Sequence, residues 1–224
     1  MIAVAVDGPA GAGKSTLARR LAKELGMLYV DTGALYRAIG LFVLEQGVSP
    51  DDREGVVALL PQIDVRMTHK EGEQDVWLGD RRVSGEIRTQ EVSMAASKVS
   101  AHAEVRSFLF DLQRNLALST PAVMDGRDIG TVVLPEAEVK IFLTATAEER
   151  AARRVAQLQE AGKEADFTVV LAEVKQRDMQ DMTRAVAPLK QAEDAVLVDT
   201  TGESPEESLG RMKAIVLEKI GAAL

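Results

Sequence analysis

Between residues 8 and 15 the chain runs Gly8-Pro9-Ala10-Gly11-Ala12-Gly13-Lys14-Ser15, a glycine separated by four positions from Gly-Lys-Ser. An apolar run, Ile2 to Val6, precedes it. A helical pattern follows from Lys14, with Leu17, Leu21 and Leu25 on one face and Gly26 at its end. Strand, glycine-rich loop and helix in this order form the context that a phosphate-binding loop requires. Glycines let successive backbone N–H groups turn inward around a polyphosphate, and the helix N-terminus adds partial positive charge at the same place. Lys14 would reach the β- and γ-phosphates, and the Ser15 hydroxyl would ligate Mg²⁺. A nucleoside triphosphate site is therefore expected at Gly8 to Thr16.

The remaining pattern extends that unit into an α/β fold. Short apolar strands are expected at Met27–Val30, Ala122–Met124, Val139–Leu143 and Ala195–Val198. Helices are expected at Ala34–Gln46, from Pro50 to about Leu60, and at Gln90–Ser100, Glu104–Leu118, Ala147–Ala161, Phe167–Arg184 and Pro205–Ile220. Five such strands joined largely by helices predict a parallel, doubly wound five-stranded sheet in three layers. From Ile63 to Ser84 the texture changes to short alternating segments separated by turn-like residues, a meander of small antiparallel strands. That segment reads as an inserted subdomain within a single domain spanning 1–224.

Ligands of doubly wound sheets bind outside the carboxyl ends of the strands. Three polar clusters fall there: the phosphate loop, a turn at Asp31-Thr32-Gly33, and Asp125-Gly126-Arg127-Asp128. Asp31 or Thr32 also suits a helix N-cap, and Asp125-Gly126 a tight turn. Arg177, Asp181 and Arg184 recur at i, i+4 and i+7, which on periodicity alone reads as a solvated salt-bridge ladder. Arg150, Arg153 and Arg154 open another helix, either as a solvent face or as a lid over phosphates. His69 and His102 lie in or near the insert and read as surface or packing residues.

Composition narrows the partners. Net charge is −8, which argues against broad nucleic-acid binding. Yet 17 of the 27 basic residues are arginine, the side chain that matches phosphate and carboxylate in bidentate fashion. Small anionic ligands fit this balance. The absence of cysteine excludes disulfides, thiolate catalysis and Cys-ligated zinc. No apolar run approaches the ~20 residues of a membrane helix, and no signal-peptide pattern opens the chain, so a cytoplasmic protein is expected. An Asn-Lys-x-Asp motif for guanine is missing, as are a second nucleotide fold and a protein-kinase catalytic loop. Two alternatives stay open from the residues alone: a kinase for some other small acceptor, such as UMP or a hydroxy acid, and a slow regulatory nucleotide switch.

A wider set of motifs carries a resemblance. The phosphate loop with Thr16, Asp31-Thr32-Gly33-Ala34-Leu35-Tyr36-Arg37, Ser84-Gly85-Glu86-Ile87-Arg88-Thr89, Asp125-Gly126-Arg127-Asp128-Ile129-Gly130-Thr131 and Arg184-Ala185-Val186-Ala187-Pro188 together resemble the bacterial cytidylate kinases. The likeness covers essentially the whole chain, insert included. It implies a P-loop nucleoside monophosphate kinase, transferring a phosphoryl group from ATP to CMP or dCMP with Mg²⁺. It also implies a CMP-binding subdomain at 62–105, a lid at 146–166 and a monomer. By position, Arg37, Arg127 and Arg184 would hold the acceptor phosphate and the transferring group. Ser97, Arg106 and Asp128 would read cytosine, Arg177 and Asp181 would contact the sugar, and Thr32 would join the CMP site. Arg153 and Arg154 fall where lid arginines would act. Asp125 is expected in the water shell of the magnesium. Ser15 and Thr32 stand where many members carry Gly and Ser.

Overall fold

The computed structural model describes residues 2–70 and 72–221. Its central sheet is parallel and five-stranded, built from β1 (Ala3–Asp7), β2 (Leu28–Asp31), β6 (Ala122–Gly126), β7 (Val139–Thr144) and β8 (Val196–Asp199), in the order β2-β6-β1-β7-β8. Strand β1 occupies the middle, buried along its length. Alternation along it fixes the layering. Ala3 and Ala5 pack into one core with Leu35, Ile39 and Leu109, while Val4 and Val6 pack into another with Leu17, Leu21 and Met212. Strand β6 divides the same way, Ala122 and Met124 to the first core and Val123 to the second. Both faces of the sheet are therefore covered, as its continuous apolar strands require.

One layer holds α1 (Lys14–Leu25) and α8 (Pro205–Gly221); the other holds α2 (Thr32–Glu45), α4 (Gln90–Val99) and α5 (Ala103–Ser119). Helices α2 and α4 approach closely at Gly40, where a Cβ would lie 2.9 Å from the Ala96 nitrogen. A short α3 (Arg53–Leu59), capped by Asp52, leads into the antiparallel sheet β3 (Val65–Lys70), β4 (Glu73–Leu78) and β5 (Arg81–Arg82). This small sheet is the expected meander. Gln74 on β4 accepts the Asp31 N–H at 2.8 Å, tying the meander to the carboxyl end of β2. Helices α6 (Ala147–Glu160) and α7 (Phe167–Thr183) pack together between β7 and β8 in the chain.

Two local expectations are corrected. No turn separates β2 from α2: Asp31 ends the strand and caps the helix by accepting from Ala34 N at 3.1 Å, so the helix begins at Thr32. Asp125-Gly126 is strand rather than tight turn, and the chain after Asp128 winds into a single π-helical stretch, Ile129–Val133. Its bonds run Val133 N to Asp128 O at 3.1 Å and Leu134 N to Ile129 O at 2.7 Å. The two histidines pack as read, with His69 Nε2 2.9 Å from the Tyr29 carbonyl and His102 Nε2 2.9 Å from that of Pro50.

Candidate active site

Parallel register places the polar groups at one rim. Asp125 lies beside Val6 of β1 and beside Asp31 of β2, so the residue facing the phosphate loop also has a second carboxylate as its neighbour. The loop leaves β1 through Gly8, at φ +148°, where a Cβ would sit 1.9 Å from the Leu143 carbonyl oxygen of β7. Only glycine fits, and the reason is the neighbouring strand. Gly11 and Gly13 take positive φ, and Gly13 precedes the first turn of α1. Buried Lys14 donates to the Pro9 carbonyl at 2.7 Å, closing the loop on itself. Burial and then the Arg127 charge push its ammonium well below the ordinary range, against the opposing pull of Asp125, Asp181 and Asp7.

Asp125 gathers hydroxyls. Ser15 Oγ donates to it at 2.7 Å and Tyr29 OH at 3.1 Å, and its carbonyl accepts from Thr32 Oγ1 at 2.8 Å. Burial, reinforced by Asp31, raises its carboxyl to about 6. Ser15 Oγ and Asp125 make a sparse cation-binding set. Among the described residues no group of three His, Cys, Asp or Glu side chains could hold a metal by itself. That sparseness fits Mg²⁺, which is usually held by one or two protein oxygens together with substrate phosphates and water.

Facing the loop across a cavity of about 610 Å³ stands a cluster of arginines, with the size and concavity of a small-molecule site. Arg127 Nε donates to Asp181 at 2.7 Å, and Arg37 pairs with Asp31 at 2.6 Å. Arg106 pairs with Asp128 inside the wall, and its guanidinium lies 5.4 Å from the centre of the Tyr36 ring. Arg184 donates from Nε to the Ala187 carbonyl at 2.6 Å, and its Nη2 lies 3.6 Å from Asp128. Ala187 is held at φ +48° there, a strained turn that brings the Arg184 backbone round. Among the described residues, three buried guanidinium nitrogens have no hydrogen-bond partner: Arg37 Nε, Arg177 Nε and Arg184 Nη2. Burial, with Arg127 and Arg37 adding repulsion, pushes Arg177 down to about 10; burial and Arg106 lower Arg184. Buried donors are almost always satisfied, and all three arginines line this one cavity, so an anionic ligand there is the partner that fits them.

Nearly every site residue expected from sequence lines this cavity: Ala10 to Thr16, Thr32, Arg37, Ser97, Arg106, Asp125, Arg127, Asp128, Arg153, Arg177, Asp181 and Arg184. Gly8 and Pro9 do not; they shape the loop from behind. The salt-bridge ladder on α7 is not present, because Asp181 is buried and turns to Arg127 rather than to Arg177. Arg153 sits at the cavity edge, bonded to Glu149 and to the Thr200 carbonyl, whereas Arg154 is exposed and outside it. Two contributors, Tyr29 and Asp7, carry no expectation from sequence, and a third, Arg150, has a different role from the one expected. Tyr29 is an apolar-strand tyrosine whose hydroxyl reaches Asp125. Arg150, expected on a solvent face or in a lid over phosphates, is instead buried against the loop. Asp7 is visible in the sequence only as a carboxylate that closes an otherwise apolar strand.

Sheet order, a phosphate loop on the central strand and a facing ring of guanidinium groups define a P-loop protein of the kinase type. The model of the cytidylate kinase family matches residues 4–217, and the chain belongs to that family of nucleoside monophosphate kinases, which are phosphotransferases. It is 51% identical over 211 residues to the cytidylate kinase of Caldicellulosiruptor bescii, covering 94% of this chain and 93% of that one. Identity to the cytidylate kinase of Pasteurella multocida is 46% over 219 residues, covering 98% and 96%. A solved structure of an uncharacterized protein from Eubacterium ventriosum shares the fold, with TM-score 0.52 at 13% identity over 96% of this chain and 97% of that one. No helix among the described residues is long and apolar enough to cross a membrane.

Proposed function

We propose that this chain transfers the γ-phosphoryl group of ATP to CMP or dCMP, giving ADP and CDP or dCDP, reversibly. One observation carries the reading: a single cavity is lined by the phosphate loop and by Arg37, Arg177 and Arg184, each of which has a buried guanidinium nitrogen with no hydrogen-bond partner among the described residues. Such a cavity suits two anionic ligands set end to end.

In this reading the loop from Gly8 to Thr16 holds the ATP phosphates, with Lys14 on the β- and γ-groups. A triphosphate beside Lys14 would oppose the burial and the Arg127 repulsion that lower its pKa. Ser15 and, through water, Asp125 would hold Mg²⁺, which when bound supplies charge neutralisation at the β- and γ-phosphates. Arg37, Arg177 and Arg184 would hold the acceptor phosphate, and Arg184 with Arg127 and Arg153 would stabilise charge on the group in transit. Arg177, expected at the sugar from the resemblance, is assigned to the phosphate because its buried Nε has no hydrogen-bond partner among the described residues. Thr32, Ser97, Arg106, Asp128 and Asp181 would complete the CMP site. The attacking atom is an oxygen of the CMP phosphate. Its second pKa is about 6, so it is ionised at neutral pH and needs no general base. It bonds to the γ-phosphorus as the bond to the bridging oxygen of ADP breaks, and positioning with charge stabilisation supplies the catalysis.

Cytosine is preferred to uracil because Asp128 accepts from an exocyclic amino group and repels a carbonyl. Residues 62–105 serve as the CMP-binding subdomain and 146–166 as the lid that keeps water from the γ-phosphate. The loop and the guanidinium ring come from one chain, which supports action as a monomer, in the cytoplasm where ATP is available. A coupled assay of ADP release over CMP, dCMP, UMP, AMP and small alcohols tests the assignment. CMP and dCMP should give the highest kcat/KM; ADP release that ignores the acceptor would refute it.

A further inference from the structure

Asp7 lies outside the cavity, yet it is buried and both its oxygens are committed. Oδ1 accepts from the backbone N–H of Ile129 at 2.8 Å, and Oδ2 from that of Gly130 at 2.7 Å. These are the first residues of the π-helical stretch, immediately after Asp128. Asp128 itself has an irregular backbone, φ −146° and ψ 25°, outside any helix or strand, while its carboxylate is paired with Arg106 and lies 3.6 Å from Arg184. The residue after Asp7 is Gly8, the first of the phosphate loop, pinned by the β7 backbone. One carboxylate thus joins the rigid root of the donor loop to the turn that carries Asp128.

We propose that Asp7 is a positioning residue for acceptor choice, holding the turn at Ile129 and Gly130 so that Asp128 meets the base edge in one orientation. The proposal rests on the reading of Asp128 as the group that selects cytosine. Burying a carboxylate is costly, and here burial outweighs the two N–H bonds and raises its carboxyl to about 6. A packing role alone would be filled better by an apolar residue. A carboxylate is suited to this place because it accepts from two neighbouring N–H groups at once, whereas an amide of the same shape accepts from one and sets its NH₂ against the other.

The test is the ratio of kcat/KM for CMP to that for UMP in Asp7→Asn, Gly130→Ala and Asp128→Ala. Gly130→Ala perturbs the same contact from the other side while the carboxylate is kept: its Cβ would come 3.3 Å from Asp7 Oδ2 and 3.1 Å from the flexible Lys140 side chain, and Lys140→Met, which keeps Asp7, serves as the control for the latter. Gly130→Ala serves if Asp7→Asn does not fold. The expected result is a ratio reduced about tenfold in each folded variant, in line with the loss of one charge-assisted bond. If Asp128→Ala narrows the ratio but Asp7→Asn and Gly130→Ala only lower thermal stability, Asp7 is structural and the proposal is overturned while the reading of Asp128 stands. Should Asp128→Ala leave the ratio unchanged, the reading of Asp128 falls, and the proposal falls with it.

Discussion

The guanidinium of Arg150 grips the carboxylate of Asp178 at two points, Nη1 to Oδ1 at 2.9 Å and Nη2 to Oδ2 at 2.5 Å, while Nη1 also donates to the Ala10 carbonyl at 2.9 Å. Helices α6 and α7 are thereby tied to the phosphate loop at one buried residue. Because Arg150 is buried and Asp178 only partly exposed, removing the carboxylate leaves a buried charge uncompensated. Asp178→Ala is expected to cost about 3 kcal/mol of unfolding free energy by urea denaturation. A combined Arg150→Met, Asp178→Leu variant should recover much of that loss, yet keep a raised KM for ATP because Ala10 has lost its tether.

Lys14→Met keeps the length of the side chain and removes its charge. Turnover should fall by about 10³-fold or more, with the melting temperature little changed, as expected for a group that acts on developing charge. Turnover near wild type in a folded variant would remove Lys14 from the chemistry.

Arg177 carries a burial cost that Asp181 and Asp178 offset only in part, since its Nε has no hydrogen-bond partner among the described residues and Arg127 and Arg37 repel it. Arg177→Met is therefore expected to leave ligand-free stability unchanged or higher, by roughly 1 kcal/mol. The same change should raise KM for CMP by about 10- to 100-fold, the worth of a charged hydrogen bond. Paired denaturation and kinetic measurements check both signs at once.

Asp125 makes stability depend on pH in a direction opposite to that of a salt-bridged carboxylate. Its carboxyl is raised from 3.8 to about 6 in the folded state, so between those values the folded chain binds the extra proton. Its contribution to stability is therefore lost as pH rises from about 4 through about 6, and is level above that. Asp125→Asn cannot ionise. Its stability relative to the wild type should improve by on the order of 1 kcal/mol between pH 5 and pH 7, measured by urea denaturation without Mg²⁺.

The fold was legible because each strand of the parallel sheet is a short apolar run, whereas β3 of the meander alternates between apolar and polar residues. The phosphate loop was legible because Gly8, Gly13, Lys14 and Ser15 stand in fixed spacing. Side-chain partnerships were less so. The i, i+4 spacing of Arg177 and Asp181 suggested a pair on the helix surface, but α7 buries that stripe and Arg127, fifty-four residues away in sequence, takes the carboxylate. Ile129–Val133 has no sequence period to announce it, since its course is set by Asp7, far back on β1. Arg150 gave the same local signal as Arg153 and Arg154, and only the packing of α6 on α7 separates an anchor, a cavity residue and an exposed one.

The most direct test of the account is a crystal structure with a non-hydrolysable ATP analogue, Mg²⁺ and CMP bound together. The expected result places the CMP phosphate within hydrogen-bond reach of Arg177 Nε, Arg184 Nη2 and Arg37 Nε, on the line to the γ-phosphate beside Lys14. A CMP phosphate bound elsewhere, with those three nitrogens still without partners, would contradict it.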